Sequence, residues 1–478
     1  MTVTATMPVA TRLWDDEILP SLADYVRIPA LSPAFDRDWA TTGALHRAVQ
    51  HLHDWVAARL DRLPGTTVEI VELPGRTPVL FVDVPASDGS TGPTADTVLL
   101  YGHYDKQPPT NGWDDGLGPW TPVVRDGRLY GRGAADDGYA LYASFAAIET
   151  ARATGGAHAR CVILIEGSEE SGSPDLPAYV EALAGRIGSP SLMVCLDSGC
   201  ADYERLWLTT SLRGLVAGTL TVRIATEGKH SGAVGGVVPS TFRIARMLLD
   251  RIEDTATGRV LLAGANVPIP PERARQAAAL VDAVGDGIDA LPLLPGVDVR
   301  TRPPAEIELD RTWRPALHVT GADGFPSVDV AGNVLRPFTS LKLSLRLPPT
   351  ADVDAVAAEL ATTLCADPPF GAEVTWVPDA SGPGWNAPDV APWLEASLAA
   401  SSERQFGRPL GHVGEGGTIP LMGLLQRSFP TAQFVIVGVL GPGSNAHGPN
   451  EFLHIETGRR LTAAMADALV AHAGRGTA

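Results

Sequence analysis

Apolar residues along the chain follow two rhythms, and the change between them divides it. Up to about residue 211, short apolar runs alternate with longer stretches of helical spacing. Helices are predicted over 15–25 and 42–63, followed past Pro64 by brief runs at 67–72, 78–84 and 97–101 set between Gly/Pro turns. A helix over 139–154 (YALYASFAAIETARAT), a run at 161–165, a helical stretch at 176–183 and a run at 191–196 complete this part. Apolar runs of about five residues between helices predict a mostly parallel sheet, buried on both faces by helices.

From residue 211 the rhythm changes. Residues 215–225 alternate in part, 238–252 have the spacing of an amphipathic helix, and 341–347 (LKLSLRL) alternate strictly, as a strand with one wet face does. A helix at 353–365 and a strand at 372–377 come next, whereas 254–333 is rich in Pro and Gly with little periodicity. Beyond 382 the first rhythm returns, with a helix at 391–406, a buried strand at 433–440 and a closing helix at 456–472. The expectation is an α/β main domain built from 1–211 and 380–478, interrupted by a small α+β insert at 212–379.

Composition narrows the function. With 478 residues, 45% hydrophobic and 19% charged, the chain has ample material for a packed core and is too apolar for disorder. A formal charge of −18 argues against nucleic acid or an anionic membrane as partner, because both require a basic face. No run of about 18 apolar residues exists to span a bilayer. The N-terminus has neither the basic start nor the apolar centre of a secretion signal. The four cysteines, at 161, 195, 200 and 365, show no CxxC spacing. A reduced, cytoplasmic protein is expected.

In an open α/β sheet, ligands bind beyond the carboxyl ends of the strands, so the residues just after each run carry the chemistry. Gly-His103-Tyr-Asp105 follows the run at 98–101, and Asp136-Asp137 lies shortly after the run at 129–130. Glu169-Glu170 follows 162–165, Asp197 follows 192–196, and His447 lies in the loop after 434–440. Any one of these alone is more often a solvated charge or a helix cap, but so many strand ends carrying imidazole and carboxylate point to metal. With no cysteine among them, the set suits hydrolytic zinc, manganese or cobalt. Charge balance favours two ions: three carboxylates and one hydroxide neutralise two divalent cations, and such pairs favour hydrolysis. One carboxylate of the Glu169-Glu170 pair is then left as general base. Asp105, two residues from His103, is placed to accept the second ring N–H and fix its tautomer.

These strings, with His230-Ser-Gly-Ala-Val-Gly-Gly and Glu415-Gly-Gly-Thr418-Ile-Pro, resemble the dizinc metallopeptidases that include carnosine dipeptidase, carboxypeptidase G, acetylornithine deacetylase and succinyl-diaminopimelate desuccinylase. The resemblance spans about residues 15–475 and is nearest to the cytosolic nonspecific dipeptidases. It implies two zinc ions per chain, one held by His103 and Asp197, the other by Glu170 and His447, with Asp136 shared. It implies Glu169 as general base toward a zinc-bridging hydroxide, and an insert serving as lid and dimerisation domain. His230 is then expected to reach across a homodimer interface to the oxyanion, with Arg346, Gly416, Gly417 and Thr418 gripping the substrate carboxylate. The implied substrate is a dipeptide or small peptide; an N-acyl amino acid is the alternative, as is a member without catalysis.

Some positions depart from the family pattern. Gly138 stands where relatives usually carry Lys, Gly414 where they carry Arg, Gly199 where the carnosine-type enzymes carry a substrate-touching Tyr, and Ala391 lies near the place of a His. The metal and base positions are kept while the substrate positions differ, so carnosine is not the expected substrate. His46, His51 and His53 share one predicted helix and are expected to be a solvated or partly packed face.

Overall fold

The computed structural model describes residues 5–417 and 420–475, and the chain falls into two compact units. The first comprises Met1–Thr209, Ala387–Val413 and Leu424–Ala478. Its strands β1 (Thr67–Val71), β2 (Val79–Val84), β3 (Thr97–His103), β4 (Arg160–Glu166) and β5 (Pro190–Cys195), with Gln433–Ile436, form a six-stranded sheet in the order β1-β2-β4-β3-β5-(433–436). From β4 to the 433–436 strand every pairing is parallel, whereas β1–β2 and β2–β4 run antiparallel. β3 and β4 are buried at every residue, whereas β1, at the edge, exposes alternate side chains. The continuous apolar runs in the sequence are therefore the sheet's interior.

The helix Ala140–Ala153 packs on β3 and β4, and the closing helix Ile455–Gly474 covers it in turn. Its many alanines let it lie close to the sheet, and Leu141, Phe145 and Ile148 join the core. Helix Ala44–Ala57 covers β1 and β2. This layering leaves the carboxyl ends of β3, β4 and β5 as the place where loops gather.

The second unit comprises Thr210–Asn386 and Gly414–Gly423. Here β6 (Gly214–Arg223), β7 (Ala316–Asp323), β8 (Phe338–Leu347) and β9 (Glu373–Gly382) form an antiparallel sheet in the order β7-β8-β6-β9. Helices Thr241–Leu249 and Val353–Cys365 cover one face, burying Leu341, Leu343, Leu345 and Leu347 from β8. The 414–423 segment belongs with this unit: the Arg213 amide donates to Glu415 O (3.2 Å), and Gly414 lies against Ser211 and Thr312.

The stretch with little periodicity contains helices Pro271–Val284 and Pro304–Thr312. Both begin on proline, which suits the first helical turn, where its missing N–H costs nothing. Their Pro-rich starts obscured them in the sequence. The longer one carries Ala277 and Leu280 inward amid Arg and Gln, too thin a stripe to stand out.

Candidate metal centre

β3 delivers His103 at its last residue, 1% exposed. Gly102 just before it is required by space: a Cβ there would lie 2.4 Å from Ala140 Cβ and 2.6 Å from Asp137 Oδ2. His103 Nδ1 lies 3.0 Å from the backbone carbonyl of Asp105 and 3.4 Å from its carboxylate, so the carbonyl is the nearer acceptor. With the proton drawn to Nδ1, Nε2 presents a lone pair. That atom is buried without a hydrogen-bond partner, 3.3 Å from Asp136 Oδ1 and 3.8 Å from Asp197 Oδ2.

Asp136 lies in the turn Ala134–Gly138, joined to Asp137 by a cis peptide. While its Oδ1 faces His103, its Oδ2 lies 3.0 Å from His447 Nε2, so each carboxylate oxygen meets a different imidazole. His447 Nε2 is also 3.4 Å from Glu170 Oε2, which Gln107 Nε2 donates to at 2.6 Å, while Glu170 Oε1 is buried without a partner. The Asp105 carboxylate accepts from the amides of Glu169 (3.1 Å) and Glu170 (3.0 Å). One side chain thereby fixes the short turn Glu169–Ser171 beside His103.

The His447 loop is held from below. Glu451, fully buried, pairs with Arg132 and accepts from the Gly133 amide at 2.9 Å, tying this loop to the one that presents Asp136. His447 itself has a left-handed backbone (φ 65°), uncommon for a non-glycine residue and frequent where function over-determines the chain.

The electrostatics match this crowding. Burial opposes ionisation of Asp136, but the facing His103 and His447 imidazoles prevail and hold its carboxyl well below the usual range. Burial, reinforced by neighbouring carboxylates, pushes Glu169, Glu170 and Asp137 well above it, and Asp197 up to about 6. Burial would lower His103, yet Asp105, Asp136 and Asp197 raise it well above an ordinary imidazole. The chain thus concentrates negative charge where water is excluded, a cost that a bound cation relieves.

Ligand atoms of His103, Asp137 and Asp197, and of His103, Asp136 and Glu170, lie within 4.8 Å of one another. The orphaned His103 Nε2, Asp137 Oδ1 and Glu170 Oε1 are donor atoms of the type a divalent ion takes, so these residues fit a metal. Sequence reasoning missed Asp137, whose Oδ2 accepts from the His103 amide at 3.3 Å. Its place beside Asp136 in the same motif was the available signal. It also missed Gln107 and the Arg132–Glu451 pair, whose roles depend on contacts remote in sequence.

The other predicted residues lie in the second unit. His230 is exposed, and its Nδ1 accepts from the Gly232 amide at 3.1 Å. Arg346 stands half-buried on β8, opposite Leu215 of β6, where burial lowers its pKa. Nearby, burial and the charges of Arg346 and Arg311 push Arg213 down to about 10; its Nε donates to Gly416 O at 3.2 Å. Gly417 is exposed, and Thr418 lies outside the described residues. The N-terminal histidines have separate surroundings: His46 faces Glu72 at 3.6 Å, His51 bonds Ser21 and His53 bonds Asp54.

A carboxylate–imidazole cluster, buried except for the half-exposed His447, gathers beyond the carboxyl ends of β3, β4 and β5 and beside the Ala134–Gly138 turn, and it fits a metal-dependent hydrolase. Comparison with known proteins names its kind. Residues 99–471 match the model of peptidase family M20/M25/M40. The chain is 30% identical over 413 residues to a cysteinylglycine-S-conjugate dipeptidase of Corynebacterium striatum, covering 83% of this chain and 84% of that one. It is 28% identical over 463 residues, 92% of each chain, to a Cys-Gly metallodipeptidase of Schizosaccharomyces pombe. In fold it is similar to the dipeptidase Dug1p of Saccharomyces cerevisiae, with TM-score 0.74, 21% identity and 98% of each chain covered. The chain belongs to peptidase family M20/M25/M40 and is a metallopeptidase. Among the described residues no helix is long and apolar enough to cross a membrane.

Proposed function

We propose that this protein is a dipeptidase with two divalent ions, zinc in the first instance and manganese or cobalt as alternatives. His103 and Asp197 would hold one ion and Glu170 and His447 the other, with Asp136 available to both. The observation that carries this reading is Asp136, whose two oxygens face the two imidazoles at 3.3 and 3.0 Å. When bound, the ions supply Lewis acidity and a nucleophile at neutral pH. Glu169 takes the proton of the attacking water and returns it to the leaving amine; its burial, which raises its proton affinity, suits it to both halves of that exchange. Asp105 is a positioning residue, holding the His103 ring and the Glu169–Glu170 turn together. In a homodimer, His230 of the partner subunit steadies the oxyanion, while Arg346, Gly416, Gly417 and Thr418 hold the free carboxylate of the substrate.

The names of the relatives make Cys-Gly and its S-conjugates the first substrates to try. The test is amine release from a panel of dipeptides and N-acyl amino acids by zinc- or manganese-loaded protein. Cleavage of dipeptides, abolished by a chelator and restored by metal, is the expected result. Cleavage of N-acyl amino acids alone would replace the dipeptidase reading with a deacylase, and silence from folded, metal-loaded protein would overturn both.

A further inference from the structure

At the other end of the helix that follows Asp136, the first unit has a cleft of about 520 Å³, within the range of small-molecule sites. Its lining includes Arg12, Leu13, Arg62, Glu149 and Arg152. Glu149 lies nine residues beyond Ala140, about 14 Å along the helix axis, so this cleft is separate from the metal centre.

Glu149 is the unusual member. It is 7% exposed, and both its carboxyl oxygens are buried without a hydrogen-bond partner. The Arg62 guanidinium stands 3.6 Å away, beyond hydrogen-bond reach, because it is committed to Glu17 at 2.9 Å, which Arg59 also grips. A buried carboxyl lacking a donor is costly, and native chains rarely keep one without use. Burial pushes it up to about 7 against the pull of Arg62, so a cation placed beside it would be bound by a newly ionised carboxylate.

At the rim, Arg12 is exposed and Arg152 half-buried, and among the described residues neither makes an ion pair or side-chain hydrogen bond. The remaining wall is Glu17, already held by Arg59 and Arg62, and the apolar Val9, Leu13 and Ala153. The cleft therefore has an unsatisfied carboxyl just beneath its surface, uncommitted guanidinium groups at its rim and a partly apolar side. That is the complement of a molecule with an ammonium, a carboxylate and an aliphatic side chain. We propose that this cleft is a binding site for a free aliphatic α-amino acid, with its ammonium on Glu149, its carboxylate on Arg12 and Arg152, and its side chain against Val9 and Leu13.

The test is titration calorimetry of the metal-loaded full chain with leucine, N-acetylleucine and leucinamide. Leucine is expected to bind, with each analogue, which lacks one charge, at least about tenfold weaker. An Arg12→Glu/Arg152→Glu double variant, altered only at the rim, should lose about tenfold in leucine affinity while keeping its melting temperature and its amidase activity. Glu149→Gln should lose a comparable factor. No binding of leucine at millimolar concentration would overturn the site. Leucine binding untouched by the rim reversal would assign it to the metal centre instead, and equal binding of N-acetylleucine would reduce the cleft to a plain anion site.

Discussion

In the first unit, β3 is buried from Thr97 to His103 and passes its last side chain into a cluster whose members touch one another. In the second, β8 buries alternate residues, and Arg346 stands on the half-open side while Leu345 and Leu347 fill the core. His230 and Gly417 of that unit are exposed. A sheet covered on both faces can present chemistry only at its ends, where loops converge and water is scarce, so its functional groups are prearranged by one another. A sheet covered on one face presents chemistry along its length, and its groups await an incoming molecule. The first arrangement favours metal and proton transfer; the second favours gripping a substrate.

The hardest test of that contrast is Glu169→Gln, expected to retain metal and lose about 10²–10⁴ in kcat. Metal content and turnover, measured together, check it, and unchanged turnover would move the base elsewhere. His230→Ala should cost about 10²–10³ in kcat, the worth of one oxyanion donor. Mixing it with Glu169→Gln chains should restore activity if the two residues serve one site from different subunits. Mixed dimers that form and stay inactive would end that assignment.

A third prediction concerns stability in the first unit alone. His472 is fully buried, and desolvation together with Arg475 holds its pKa down at about 4, against 6.5 for a free imidazole. Its neutral form is favoured by folding, so its contribution is complete above pH 6.5 and is lost as pH falls toward 4, a decline of at most roughly 3 kcal/mol. Denaturant midpoints followed across that window should fall more steeply for the natural chain than for His472→Gln; equal slopes would place the acid sensitivity elsewhere. Smallest of all is Asp105→Asn, expected to weaken metal binding about 10–100-fold, as loss of a residue that orients a ligand does; competition with a chromogenic chelator reads it.

The same contrast explains how much of the molecule was legible in the chain itself. Continuous apolar runs located the first unit's strands, and because chemistry in such a sheet is confined to strand ends, His103, Glu169, Glu170 and Asp197 stood out by position. The strict alternation of 341–347 marked β8, observed as Phe338–Leu347. Helices Pro271–Val284 and Pro304–Thr312 stayed hidden, since weakly amphipathic segments borrow their order from the surfaces they pack on. Gly138, an unexplained departure in the sequence, has a physical reason: a Cβ there would sit 2.2 Å from the Tyr25 ring, which fills the space. Lys106 belongs to none of the motifs singled out in the sequence, and it is 0% exposed. Its ammonium donates to the carbonyls of Tyr25 (2.9 Å) and Ile28 (2.8 Å) and lies 4.0 Å from the Tyr25 ring centre.

That closed-off ammonium makes the molecule its own reporter. The chain has three lysines, at 106, 229 and 342; the side chains of Lys229 and Lys342 are 58% and 54% exposed, whereas Lys106 is sealed beneath the start of the chain. An amine-reactive reagent should mark the two exposed lysines at once and reach Lys106 only when the segment around residues 25–28 lifts away. The rate of that last acylation, read by mass spectrometry, would then time the opening of the scaffold that carries His103.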